Sequence, residues 1–107
     1  MVWYQNLYVG RLISPRKDSV IDEIDRGSYP AFVYLLIVSQ GSNSQLEIIK
    51  ATELAHDYVR EHCLLIVGLA QGRTEAISLL ERLAHDVWRD RKDADIRAWL
   101  SEEHGQG

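Results

Sequence analysis

The segment Gly68-Leu69-Ala70-Gln71-Gly72-Arg73-Thr74 lies between an apolar stretch and a helical pattern, a setting in which a chain can hold an anion. Free amides point out of a helix start, and the macrodipole favours negative charge there. The phosphate-loop pattern GxxxxGK[ST] is nearly spelled, but it is one residue short and has Arg73 where lysine belongs. The dinucleotide pattern GxGxxG is absent. Glu75, in the first helical turn, would oppose an anion while stabilising the empty helix. An ordinary strand-to-helix turn, with Gly72 present for its backbone angles, therefore outweighs a phosphate loop. A second group of residues sharpens the question. Arg16 and Lys17 follow Ser14-Pro15 in the first turn of the first helix, with Arg11 just ahead, and cations there oppose the dipole. In a parallel sheet the two helix starts share one edge, where open α/β sheets bind ligands. The expectation is a site for a small anion (phosphate, nucleotide or carboxylate) at Arg11, Ser14, Arg16, Gly72 and Arg73. A solvated charged turn is the plainer alternative.

Other chemistries find less support. His62 and Cys63 are neighbours, so on a strand they point to opposite faces. No CxxC, HExxH or histidine cluster supplies a zinc site, and no cofactor is expected. Cys63 opens an apolar segment and reads as a small core residue rather than a nucleophile. His56-Asp57 could orient a general base, but adjacent residues on a helix diverge and no serine or cysteine pairs with them. His85, one turn from Glu81 and Arg89, reads as part of a surface network. No catalytic residue is assigned, and the balance leans away from an enzyme. Trp3, Tyr4 and Tyr8 are denser than an edge strand needs. They read as core or as the seam of a homodimer, because a base-stacking platform would interleave basic residues.

The elements that must position these residues alternate along the chain. Residues 3–9 are aromatic and β-branched and predict a strand ending at Gly10. Ser14 can cap a helix with Pro15 at its first position; Ile13, Val20, Ile21 and Ile24 share a face, and Gly27 supplies the stop. Residues 31–38 are apolar on both alternating faces, which predicts a central strand covered on each side. The polar stretch 39–44 is a turn, and 46–50 a short strand hairpinned to the one before. Thr52 can cap a short helix whose face holds Leu54, Ala55, Tyr58 and Val59. A second apolar strand covers 63–67, and 68–72 is a loop. Ala76, Ile77, Leu80, Leu83, Ala84, Val87 and Trp88 then trace one core stripe on a helix that runs to about Arg91. Ile96, Trp99 and Leu100 dock a last turn or two.

That order, βαββαβα, predicts an α/β (or α+β) domain with a mixed sheet of about four strands and helices packed on it. The alternative is a ferredoxin-like βαββαβ sheet with an added C-terminal helix. The two fully apolar strands favour the covered, mixed version. With 107 residues the chain has room for one domain, assigned to 1–101, with 102–107 as a flexible tail. Its net charge of −4 argues against nucleic acid as a partner. A single cysteine fits a reducing compartment. No run reaches the length of a membrane span, and the start lacks a basic-then-apolar leader, so the expected address is the cytoplasm.

The strand end Leu7-Tyr8-Val9-Gly10, the Val67–Gly72 turn with Glu75-Ala76, and Asp95-Ile96-Arg97 resemble a group of short uncharacterised bacterial α/β proteins. The resemblance covers nearly the whole length. It implies this order of elements and a bacterial cytosolic origin, and it brings neither an activity nor functional residues. The leading expectation is a non-enzymatic domain acting through protein contacts or self-association. A binding module for the small anion named above is the alternative.

Overall fold

The structure, a computed structural model, describes residues 1–41 and 45–106, with side chains through Glu102; the rest of the predicted 39–44 turn and Gly107 lie outside the described residues. Strand β1 (Trp3–Val9) leads through a 3-10 turn (Ser14–Arg16) into α1 (Lys17–Asp25). The hairpin of β2 (Val33–Ser39) and β3 (Glu47–Lys50) follows, then a 3-10 turn (Ala51–Ala55) and α2 (Asp57–His62). Strand β4 (Cys63–Gln71), α3 (Arg73–Arg91) and α4 (Ile96–Gln106) complete the chain. Residues 102–106, expected as a tail, thus continue the last helix.

The sheet order is β1-β4-β2-β3, with β1 parallel to β4 and β2 antiparallel to both of its neighbours. This is the mixed sheet, not the ferredoxin-like one. Its two faces carry separate cores, as the two apolar segments require. Leu36, Val38, Val67 and Ala70 pack under α3 and α4, while Leu35, Ile37, Ile66 and Leu69 pack under α1 and the second 3-10 turn. Among the described residues no polar or charged residue is buried. None of their helices is long and apolar enough to cross a membrane.

Several local expectations need correction. Strand β4 does not stop at Val67 but runs to Gln71. Gly68 is the reason: it pairs with Leu36 while Ile66 pairs with Ile37, a bulge in which a Cβ on Gly68 would lie 2.7 Å from the Leu36 side chain. Glycine here marks a close approach inside a strand rather than its end. Strand β2 begins at Val33, because Phe32 turns into the left-handed region (φ 66°), where its carbonyl accepts the Gly72 amide at 2.8 Å. An aromatic residue in that region is strained, and this one is also 82% exposed. Ser14 does not cap: the first helix enters through a 3-10 turn without a side-chain cap. Thr52 does not cap either; Glu53 reaches back to the Lys50 amide at 2.8 Å. On α3 the buried positions are Ala76, Leu79, Leu83 and Val87, which leaves Ile77 and Trp88 exposed, Trp88 by 57%.

Candidate functional site

Strands β1 and β4 are parallel neighbours, yet the helices that follow them cover opposite faces of the sheet. Between their carboxyl ends the chain therefore has to part, and such a point is where open α/β sheets place ligands. A crevice of about 580 Å³ lies there. Of the residues expected at an anion site, Arg11, Gly72 and Arg73 line it. Arg16 stands at the same end, where its Nη2 donates to Gln71 Oε1 at 2.6 Å. Ser14 is exposed and lies outside the crevice lining. The two helix starts thus share one edge.

The chemistry of the edge differs from that of a phosphate loop. Because β4 runs to Gln71, only Gly72 (φ 83°) separates strand from helix, and no multi-residue loop is left to cradle a phosphate. The Gly72 amide is already spent on Phe32. Glu75 does not close a capping box with Gly72. Its carboxylate spans two segments instead: Oε2 accepts the Leu12 amide at 2.7 Å, and Oε1 accepts the Gln71 amide at 2.8 Å. Gly10 makes room for it, since a Cβ there would lie 2.0 Å from Glu75 Oε1.

The lining also holds residues that were not expected there, and Arg82 is the charged one that matters most. Arg82, two turns beyond Glu75, lines the crevice and lays its guanidinium over the Tyr8 ring at 5.2 Å. The signal was present in the spacing: Glu75, Ser78 and Arg82 recur at +3 and +4, which puts them on one helix face. Thr74 and Ser78 add hydroxyls, while Leu12 and Leu79 add apolar wall.

The three aromatic residues expected as core or as a seam do not form one surface: Trp3 is half-buried on one face of the sheet, and the two tyrosines lie on the other. Tyr4 and Tyr8 are buried in the core beneath α3 and α4, and Trp3 donates its indole N–H to Asp25 at 2.9 Å. Tyr8 donates its hydroxyl to the Asp86 carboxylate. Burial, with that carboxylate beside it, pushes the Tyr8 hydroxyl well above the ordinary tyrosine value. Burial likewise pushes the Cys63 thiol up, away from the thiolate that a nucleophile requires. Asp57 pairs with Arg60 and so does not orient His56. His62 stacks on Tyr58 and hydrogen-bonds its carbonyl through Nδ1. Among the described residues no group of three histidine, cysteine or acidic side chains could hold a metal ion. No family model, curated protein or solved structure matches the chain, so the reading of the crevice rests on its own geometry.

Proposed function

We propose that the chain is a small binding module that takes an anionic ligand in the crevice between β1 and β4. The observation that carries this reading is a contrast among its arginines. Arg26, Arg60, Arg89 and Arg91 each lie within 3.2 Å of a carboxylate. Arg11, Arg73 and Arg82 have no carboxylate partner among the described residues, and all three line the crevice. In a chain of net charge −4 such a gathering of unpaired cations is not a by-product of composition. A guanidinium is a planar fork of donors matched to carboxylate and phosphate oxygens. The crevice volume falls within the range of small-molecule sites, and the exposed Leu12 offers an apolar surface beside the charges. The lining holds no histidine or cysteine, which favours binding over catalysis. The lone cysteine fits a cytoplasmic setting.

A thermal-shift titration with phosphate, a nucleoside monophosphate and benzoate tests the reading. The expected result is saturable stabilisation by at least one of them, lost when Arg11 and Arg73 are replaced by alanine. At a hundredfold its dissociation constant a ligand contributes about 2.7 kcal/mol. The same shift from sodium chloride at matched ionic strength would overturn it.

A second reading, self-association, is favoured by the outer face of α3. Ile77, Ala84 and Trp88 recur there at helical spacing and are exposed. Sedimentation of the chain across a concentration series, beside a Trp88→Ser variant, separates a dimer from a monomer.

A further inference from the structure

The crevice already contains one bound anionic group, and the protein supplies it. Two main-chain amides from separate segments, Leu12 after β1 and Gln71 at the end of β4, each donate to one oxygen of the Glu75 carboxylate, at 2.7 and 2.8 Å. Neither amide belongs to a helix. The missing side chain of Gly10 leaves the volume that the carboxylate fills. Donors so spaced are complementary to one flat carboxylate, one oxygen to each amide. We infer that this amide pair is a carboxylate-binding nest occupied in cis, and that an external carboxylate enters the crevice by displacing Glu75. The inference rests on the reading of the crevice as an anion site and names the anion's class. Arg11, Arg73 and Arg82 then steer and hold the incoming ligand, while Glu75 selects among ligands. A weakly held anion cannot compete with a tethered carboxylate; one whose body also packs against Leu12 can. A ligand's apparent affinity falls by the fraction of molecules in which its seat is free.

Chemical rescue tests this on the full chain. Glu75→Ala empties the nest and leaves two donors unmet, so its Tm should fall. Sodium acetate should then raise that Tm saturably above sodium chloride at equal ionic strength, and shift the amide resonances of Leu12 and Gln71. Wild type should respond to acetate at least about tenfold more weakly, because Glu75 holds the seat. Adding Gly10→Ala to Glu75→Ala puts a methyl where the carboxylate sat and should abolish the acetate response. If Glu75→Ala does not fold, Glu75→Gln, which keeps one acceptor, should show the same acetate-dependent shift of the Leu12 or Gln71 amide. Equal behaviour of the variants in acetate and chloride overturns the inference. This failure is distinct from failure of the anion-module reading. There, wild type would ignore every anion tested, whatever the variants did with acetate.

Discussion

The two ends of α3 carry similar residues under opposite rules. At its start Arg73, with the nearby Arg11 and with Arg82 two turns further on, lines a crevice and has no carboxylate partner among the described residues, and the carboxylate in that lining, Glu75, is held by main-chain amides. At its finish both arginines of the helix are matched. Arg89 meets Asp86 and Asp90, and Arg91 meets Asp93 and Glu102. Trp99 of α4 donates its indole N–H to Asp90 at 2.9 Å, so the ionic cluster also fastens the last helix. Exposed ion pairs add little stability singly, and networks add more. The difference fits the reading proposed for the crevice. The finish spends its charges on holding the chain together, whereas the start keeps them available.

The largest effect should come from breaking the fastened end. Trp99 is buried against α3, and Trp99→Ala removes both its packing and its hydrogen bond to Asp90. A loss of about 3–5 kcal/mol is expected in urea unfolding, as for other buried aromatics cut to alanine. Anion binding at the crevice, measured below the new transition, should be unchanged. A parallel loss of both would mean that the two ends are not separable.

Between the ends stands Tyr8, under the Arg82 guanidinium and bonded to Asp86. Tyr8→Phe removes one hydrogen bond to a charged acceptor and should cost about 1–2 kcal/mol. The pH dependence has a definite sign. The folded state holds the hydroxyl proton more tightly than the unfolded chain does, since the Tyr8 value is raised above 10. Its contribution is therefore complete below about pH 10 and is lost as pH rises beyond that. Urea midpoints between pH 8 and 11 should fall faster for wild type than for Tyr8→Phe.

Paired variants sharpen the contrast most directly. Arg73→Ala should leave stability within about 0.5 kcal/mol of wild type, as an exposed cation without a carboxylate partner among the described residues should. It should also weaken anion binding about tenfold. Arg91→Ala should do the reverse, lowering the Tm and leaving the ligand isotherm intact. If Arg73→Ala destabilised the chain as much as Arg91→Ala, the crevice arginines would be structural after all.

The sequence made the edge legible but not its chemistry. Once β1 and β4 are read as parallel, Arg11 and Gly72-Arg73 must come to the same end, because strand direction alone decides it. That Glu75 would reach back across two segments was invisible. Its partners are main-chain amides, which carry no signature, and the space it fills is the absent side chain of Gly10, 65 residues away. The seven-residue stripe assigned to α3 was too wide an arc to settle which part faced the sheet. At 100° per residue, Ala76, Leu83 and Val87 lie close to one direction, while Ile77, Ala84 and Trp88 lie about 100° away. Burial chose the first set. Gly68 misled for a related reason: glycine ends strands in sequence patterns, but here it admits Leu36.

The smallest effect should appear at low pH, confined to the fastened end. The Trp99 indole N–H, aided by the Arg89 guanidinium, holds the Asp90 carboxyl below its ordinary value of 3.8, and Arg91 does the same for Asp93. The unfolded chain gives these groups up to protons first. Their contribution is therefore present above pH 3.8 and is lost as pH falls through the lower, folded values. Both carboxylates are exposed enough for solvent to screen them, so the change belongs to local opening rather than global unfolding. The Trp99 indole proton resonance should move and broaden below pH 3.8, while the Ile66 amide, which donates to the Val2 carbonyl within the sheet, keeps its native position. Asp90→Asn can still accept the indole hydrogen bond but carries no titrating charge, and should flatten the Trp99 response. An unchanged acid response in that variant would show that Asp93, not Asp90, fastens α4 to α3.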